Sequence, residues 1–124
     1  MSVRGLGTDI VEITRIEQAL NKSDRLAQRV LTDTELTIFR QHHEPARYLA
    51  KRWAAKEAAA KALGIGIGRG ISFHHFETSN DDLGAPKLVL TAAALAKAEE
   101  LGVSSVHISI SDETHYAMAT VVLS

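Results

Sequence analysis

The chain has 124 residues and a formal net charge of −1, and aromatic residues make up only 5% of it. This length predicts one domain, residues 1–124, and the low aromatic content predicts a core of Ala, Leu, Ile and Val with little room for a deep private pocket. The near-neutral charge argues against a general nucleic-acid binder, because such proteins carry a basic excess that neutralises phosphates.

The sequence contains no cysteine, which excludes a disulfide framework, a thiolate nucleophile and a cysteine-ligated zinc site. The first residues, MSVRGLGTDIVEI, lack the charged leader and apolar run of a signal peptide, and no run of 18 apolar residues occurs. We therefore expect a soluble, unprocessed cytoplasmic protein that does not associate with membranes.

Helix patterns cluster early in the chain and strand patterns cluster late. A capping-box spacing from Thr32 to Glu35 and the proline at position 45 mark two of the helix starts. The predicted helices are Ile13–Leu20, Asp24–Leu31, a third that ends near Gln41, a fourth and longest that ends at Leu63, and a fifth from Thr91 to Leu101. The predicted strands are Val3–Val11, Ile71–Thr78, Lys87–Leu90 and a hairpin of Val103–Ser111 with His115–Leu123. This order indicates an α+β domain.

The stretch RWAAKEAAAKALGIGIGRG joins the end of the longest predicted helix to a glycine-rich tail. Residues four apart lie on one side of a helix, so Trp53, Glu57 and Lys61 form a stripe. The simplest interpretation of Glu57 and Lys61 is an ion pair on the helix, and that of Gly64 is a left-handed helix cap. A cap needs one glycine, however, and glycine recurs at every second position to residue 70, which leaves a bare backbone that can approach a ligand. The pattern matches neither a dinucleotide-binding fingerprint nor a P-loop.

Two further patterns place polar side chains on predicted strands. Asp9 lies in the otherwise apolar run GLGTDIVEI. It is either a turn residue or a strand carboxylate that meets Glu57 and forms with it a pair of hard oxygen ligands for Mg²⁺. In HISISDE, His107, Ser109 and Ser111 share one strand face, which is either a plain polar surface or part of a site.

Three separated motifs then agree in order and spacing: GTDIVEI at residues 7–13, RWAAKEA at 52–58 with Lys61 and the glycines, and HISIS at 107–111. On these motifs the chain resembles the bacterial holo-acyl-carrier-protein synthase family of phosphopantetheinyl transferases, over essentially its whole length. The resemblance implies a small antiparallel sheet packed with helices and one long central helix. It also implies transfer of the 4'-phosphopantetheine arm of coenzyme A to a serine of apo-acyl carrier protein, with release of adenosine 3',5'-bisphosphate.

The resemblance assigns roles to individual residues. Asp9 and Glu57 match the ligands of the Mg²⁺ cofactor, Glu57 is also a candidate base, and Lys61 matches the phosphate-contacting lysine. These three form the implied catalytic set. The residues implied to bind coenzyme A are Lys61, Gly64, Arg52 and His107. The family forms homotrimers with sites at subunit interfaces, which implies that Arg52 and His107 reach the nucleotide from a neighbouring subunit.

Four basic residues collect on the first two predicted helices: Arg15, Lys22, Arg25 and Arg29. They are either solvated surface or a local patch that steers an acidic partner, and Arg15 and Arg25 match family positions that contact the acidic carrier protein. The rival interpretation is a non-catalytic trimeric module that binds nucleotide or acidic helical partners. It gives no reason for two carboxylates at a phosphate site, where they repel the ligand unless a cation lies between them.

Overall fold

The computed structural model describes residues 2–124 and has the predicted α+β order. Within these residues the helices are α1 (Ile13–Lys22), α2 (Arg25–Val30), α3 (Asp33–Gln41), α4 (Pro45–Ala62) and α5 (Ala92–Glu100), with a 3-10 helix at Phe73–His75. The strands are β1 (Gly5–Glu12), β2 (Phe76–Asn80), β3 (Pro86–Leu90), β4 (Val106–Asp112) and β5 (Tyr116–Leu123). Every predicted helix and strand is present, with shifted ends.

The strands form two small antiparallel sheets, one with the order β1-β5-β4 and one of β2 and β3. The prediction that a strand begins at Ile71 is wrong in its first half, because residues 73–75 form the 3-10 turn instead. The Ser72 hydroxyl accepts a hydrogen bond from the backbone N–H of His74 at 3.1 Å, and such local bonds compete with strand pairing.

The start of α3 is capped as the sequence predicts. The Thr32 hydroxyl accepts from the Glu35 N–H at 3.3 Å, and the Glu35 carboxylate accepts from the Thr32 N–H at 2.9 Å. At the other end of the longest helix, Gly64 adopts φ 83°, so it is the left-handed residue that the sequence predicts after α4.

The helix α4 is the centre of the molecule, and its alanines are buried against both the three-stranded sheet and the other helices. Two glycines of β1 allow the strand to lie directly on this helix. A Cβ atom on Gly5 would lie 2.0 Å from the carbonyl oxygen of Ala62, and one on Gly7 would lie 1.9 Å from that of Ala58. The strand and the helix therefore pack backbone to backbone.

The other face of the three-stranded sheet is open. Leu6, Ile10, Tyr116 and Met118 point outward from it and are between 43% and 65% exposed. Among the described helices, none is both long enough and apolar enough to cross a bilayer.

Candidate active site

The close packing of β1 on α4 brings Asp9 to the helix. Side chains alternate along a strand, so Asp9 lies on the same face of β1 as Gly5 and Gly7. Its Oδ1 accepts a hydrogen bond from Lys61 Nζ at 2.9 Å, and the same ammonium donates to the carbonyl oxygen of Thr8 at 3.0 Å. The simple interpretation of Lys61 as a partner of Glu57 on the helix is therefore wrong: its carboxylate partner is Asp9 on β1.

Glu57 lies one turn before Lys61 on α4 and has a different partner. Its Oε1 accepts a hydrogen bond from Trp53 Nε1 at 3.2 Å. A cleft of about 190 Å³ is lined by Glu57 and Trp53 together with Asp9 and Arg15. The structure thus brings together the two carboxylates that the sequence predicts to meet, and it adds Arg15, which the sequence assigned to the carrier protein.

The donor set of this cleft suits Mg²⁺. The carboxylates that line the cleft are those of Asp9 and Glu57. Mg²⁺ usually takes one or two carboxylates and keeps its other positions for water and phosphate oxygens. Asp9 and Glu57 are therefore the residues that would hold it.

A larger cleft of about 730 Å³ lies between α3, the first half of α4, the second half of β2, the loop before β3 and the end of β4. The low aromatic content predicted little room for a deep private pocket, and this cleft is open to the surface. Small core residues did not limit the cleft, because it lies at the edge of the core where two sheets and two helices meet. It shares no lining residue with the cleft of Asp9 and Glu57.

Arg52 lines the larger cleft and is only 7% exposed. Its Nη2 donates to Asn80 Oδ1 at 3.0 Å, and its guanidinium carbon lies 4.8 Å from the centre of the Tyr48 ring. Burial raises the pKa of the Tyr48 hydroxyl. Both that hydroxyl and Arg52 Nε are buried without a hydrogen-bond partner within residues 2–124. The two other cations of the cleft are paired, because Arg47 and Lys51 lie 2.9 and 3.4 Å from the Asp112 carboxylate.

The remaining predicted site residues are dispersed within one chain. His107 lies at the start of β4, opposite Val122, and its Nε2 is 3.1 Å from Ser124 Oγ. Arg52 lies near the other end of that strand, where Asp112 pairs with Ala117, so the two residues do not meet within one chain. Gly64 follows α4, with no other atom within 4 Å of the place a side chain would take. Arg25 is exposed at the start of α2.

Three residues at or behind the larger cleft, Glu35, Lys56 and Asn80, were not predicted as site residues. Lys56 and Glu35 form an ion pair in which both side chains are fully buried. A signal existed for Lys56, since the helix around it is rich in alanine and an alanine-rich helix of this length is usually buried. Asn80, which bonds Arg52, had no comparable signal, because its sequence reads as part of a turn.

Comparisons with known proteins agree with this geometry. Residues 5–121 match the model of the 4'-phosphopantetheinyl transferase superfamily. The chain is 63% identical over 123 residues to the holo-[acyl-carrier-protein] synthase of Pseudoalteromonas atlantica, covering 99% of this chain and 98% of that one.

Solved structures give the same relationship. The holo-[acyl-carrier-protein] synthase of Neisseria meningitidis superposes with a TM-score of 0.89 at 44% identity, covering 99% of each chain. That of Bacillus anthracis, solved in complex with coenzyme A (3',5'-ADP), superposes with a TM-score of 0.81 at 37% identity, covering 98% of this chain and 96% of that one. This chain belongs to the 4'-phosphopantetheinyl transferase superfamily.

Proposed function

We propose that this protein is a holo-acyl-carrier-protein synthase. It transfers 4'-phosphopantetheine from coenzyme A to a serine hydroxyl of apo-acyl carrier protein and releases adenosine 3',5'-bisphosphate. The observation that carries the proposal is the convergence of Asp9, Glu57 and Lys61 where β1 packs on α4. The relatives named above support it, because they are synthases of this kind over nearly their full length.

The reaction breaks the pyrophosphate of coenzyme A and moves negative charge onto the leaving phosphate. Asp9 and Glu57 would hold Mg²⁺, which when bound would supply Lewis-acid stabilisation of that charge. Lys61 adds a fixed cation, because its ammonium is held by Asp9 and the Thr8 carbonyl and needs little reorganisation. Glu57 is the candidate base for the serine proton, and its hydrogen bond from Trp53 fixes one carboxylate oxygen.

The adenosine bisphosphate half of coenzyme A carries phosphates that need cationic partners. Arg52 is proposed to bind one of them, because its guanidinium lies at the wall of the larger cleft and a guanidinium is a strong donor to phosphate. His107 is exposed on β4, and the bare backbone at Gly64 allows close approach of the cofactor substrate.

Within one chain Arg52 and His107 do not line the cleft of Asp9 and Glu57, and a homotrimer brings them to that cleft of a neighbouring subunit. A head-to-tail interface joins two different patches, so Arg52 and His107 of one subunit can face Asp9 and Glu57 of the next. The outward apolar side chains of the three-stranded sheet support such an association, since exposed apolar patches commonly mark interfaces.

Arg15 and Arg25 are proposed to receive the acidic carrier protein. Arg15 lines the cleft of Asp9 and Glu57, which supports a role in receiving the carrier protein beside the proposed reacting groups. Arg25 is exposed on α2, where its charge is free to steer an acidic partner. We also place the whole activity in one domain, residues 1–124, and in the cytoplasm, which suits a chain without cysteine.

The test is a transfer assay with matched variants. The wild type, Asp9→Asn, Glu57→Gln and the exposed control Asp82→Asn are incubated with coenzyme A, Mg²⁺ and apo-acyl carrier protein, and the carrier is weighed by mass spectrometry. We expect the wild type and the control to add the phosphopantetheine arm. The Asp9 and Glu57 variants should lose most activity while unfolding at the wild-type temperature, because an amide is a poor ligand for a hard cation. Nucleotide binding without transfer by the wild type would favour the non-catalytic module.

A further inference from the structure

The buried ion pair of Glu35 and Lys56 lies directly behind the larger cleft. Lys56 follows Arg52 by four residues on α4, so both project from neighbouring turns on the same side of the helix. The Lys56 ammonium donates to the Glu35 carboxylate and, at 2.7 Å, to the carbonyl oxygen of Val30 at the end of α2. The pair therefore ties α4 to both α2 and α3.

Glu35 also forms hydrogen bonds to the two-stranded sheet of β2 and β3. Its Oε2 accepts two hydrogen bonds from Thr78 on β2, one from the backbone N–H at 2.7 Å and one from the hydroxyl at 2.8 Å. With the bonds from Lys56 and the Thr32 N–H, this carboxylate accepts four hydrogen bonds. Because Thr78 is itself only 3% exposed, the position of β2 relative to α4 is fixed at this residue.

The path of hydrogen bonds continues along β2 to the larger cleft. Asn80 lies two residues beyond Thr78, at the end of the strand. Its Oδ1 accepts from Arg52 Nη2 at 3.0 Å, and its Nδ2 donates to the carbonyl oxygen of Gly84 at 3.0 Å. The contacts form a closed path from Lys56 through Glu35, Thr78 and Asn80 to Arg52 and back to Lys56 along one helical turn.

We propose that Glu35 and Lys56 are positioning residues for the binding of coenzyme A. This proposal rests on the proposed function. They hold β2 so that Asn80 orients the Arg52 guanidinium at the wall of the larger cleft. Neither residue of the pair lines the cleft of Asp9 and Glu57, so we expect its main effect on the nucleotide half of coenzyme A.

The first experiment separates positioning from stability. Replacing a buried ion pair by apolar side chains of similar volume generally leaves a protein folded, so Glu35→Leu/Lys56→Met keeps the packing and removes the hold on Thr78. In this variant we expect a rise of about tenfold in the Kd for adenosine 3',5'-bisphosphate, measured by calorimetry, and in the KM for coenzyme A. A tenfold change corresponds to the loss of roughly one hydrogen bond. The kcat at saturating coenzyme A and the KM for the carrier protein should not change.

A milder pair of variants covers the case in which the double variant does not fold. Thr78→Val removes the hydroxyl that bonds Glu35 and keeps the shape, whereas Thr78→Ser keeps the hydroxyl. We expect a weakened Kd for adenosine 3',5'-bisphosphate with valine and near-wild-type affinity with serine. Asn80→Ala should weaken the same Kd, and its effect should not add to that of Thr78→Val, since both act on the orientation of Arg52.

The outcomes distinguish this proposal from the proposed function. A wild type that does not transfer the arm would contradict the function itself. A wild type that transfers it, with folded double and Thr78→Val variants that bind adenosine 3',5'-bisphosphate normally, would overturn the positioning role. Parallel losses in kcat and in both KM values, or strictly additive effects of Thr78→Val and Asn80→Ala, would also overturn it.

Discussion

At the scale of single residues, Trp53 is more than a core aromatic, because its indole N–H donates to Glu57 at 3.2 Å. A carboxylate with one oxygen fixed in this way presents the other in a defined direction. Groups that donate a hydrogen bond to a metal ligand hold that ligand in position, and their loss usually lowers the affinity for the metal. Trp53 therefore belongs to the support of the proposed Mg²⁺ site.

Replacing Trp53 by phenylalanine tests this support. The change keeps a large apolar ring and removes only the hydrogen-bond donor to Glu57. We expect the Mg²⁺ concentration for half-maximal activity to rise about tenfold, at the lower end of the effect of losing such a partner. Trp53→Leu, which removes both ring and donor, controls for packing. Unchanged Mg²⁺ dependence in Trp53→Phe would show that the hydrogen bond has no role in holding the metal ligand.

At the scale of the elements, the contact between β1 and α4 builds the proposed metal site, and it depends on glycine. Gly7→Ala would place a Cβ 1.9 Å from the Ala58 carbonyl oxygen and 2.7 Å from the Ala62 nitrogen, and both are backbone atoms that cannot rotate away. We expect a loss of about 3 kcal/mol in the free energy of unfolding, the upper part of the usual range for overpacking. Denaturant unfolding measures it.

Gly84→Ala is the matched control for this substitution. Gly84 has φ 87° but no other atom within 4 Å of the added Cβ, so only backbone strain of about 1–2 kcal/mol is expected there. Equal losses in the two variants would mean that β1 can move away from α4 without cost, and the close approach would not be what fixes Asp9.

The sequence predicted those contacts whose partners are close along the chain or follow a period. The capping box of Thr32 and Glu35, the stripe of Trp53 and Glu57 and the left-handed Gly64 are of this kind. The second role of Glu35 was not predictable, because its partners Lys56 and Thr78 lie 21 and 43 residues away and no local pattern specifies which elements meet. The meeting of Asp9 and Glu57 was one of two interpretations that the residues left open, and the resemblance favoured it.

The ion pair between α3 and α4 makes stability depend on pH. Burial raises the pKa of the Glu35 carboxyl, but the Lys56 ammonium and the hydrogen bonds from Lys56, Thr78 and Thr32 outweigh it and hold this pKa below its usual range. Burial lowers the pKa of Lys56 below its usual range, although the neighbouring Glu35 carboxylate opposes this shift. A lowered carboxyl pKa gives stability that is present above the unfolded-state value, about 4.3, and is lost as pH falls through the folded-state value.

We therefore expect the free energy of unfolding to fall between about pH 5 and pH 3, and to fall less in Glu35→Leu/Lys56→Met, which has no carboxyl to protonate there. The single variant Glu35→Gln should lose about 3–5 kcal/mol at neutral pH, because it leaves a buried ammonium without its counter-charge. Chemical denaturation across this pH range gives both quantities. Identical pH profiles of the wild type and the double variant would assign the acid sensitivity to other carboxyls.

At the scale of the whole molecule, the proposed site is divided between separate regions of one chain. Asp9, Glu57 and Lys61 lie where β1 meets α4, whereas His107 lies on the exposed face of β4. That face continues into the outward apolar side chains of Ile10 and Met118, which face each other across β1 and β5. A surface of this kind suits contact with another copy of the chain.

Complementation between two defective variants tests this division. Glu57→Gln and His107→Ala are each expected to be inactive alone. In a head-to-tail trimer each site takes Glu57 from one subunit and His107 from the next, so a random equal mixture forms an intact site about one time in four. Activity should return to about a quarter of the wild-type value once subunits have exchanged, which mass spectrometry of the intact trimers can follow. If both residues served a site within one subunit, every site in the mixture would carry one defect. A mixture that stays inactive after demonstrated exchange would therefore contradict the shared site and leave any trimer without a catalytic role.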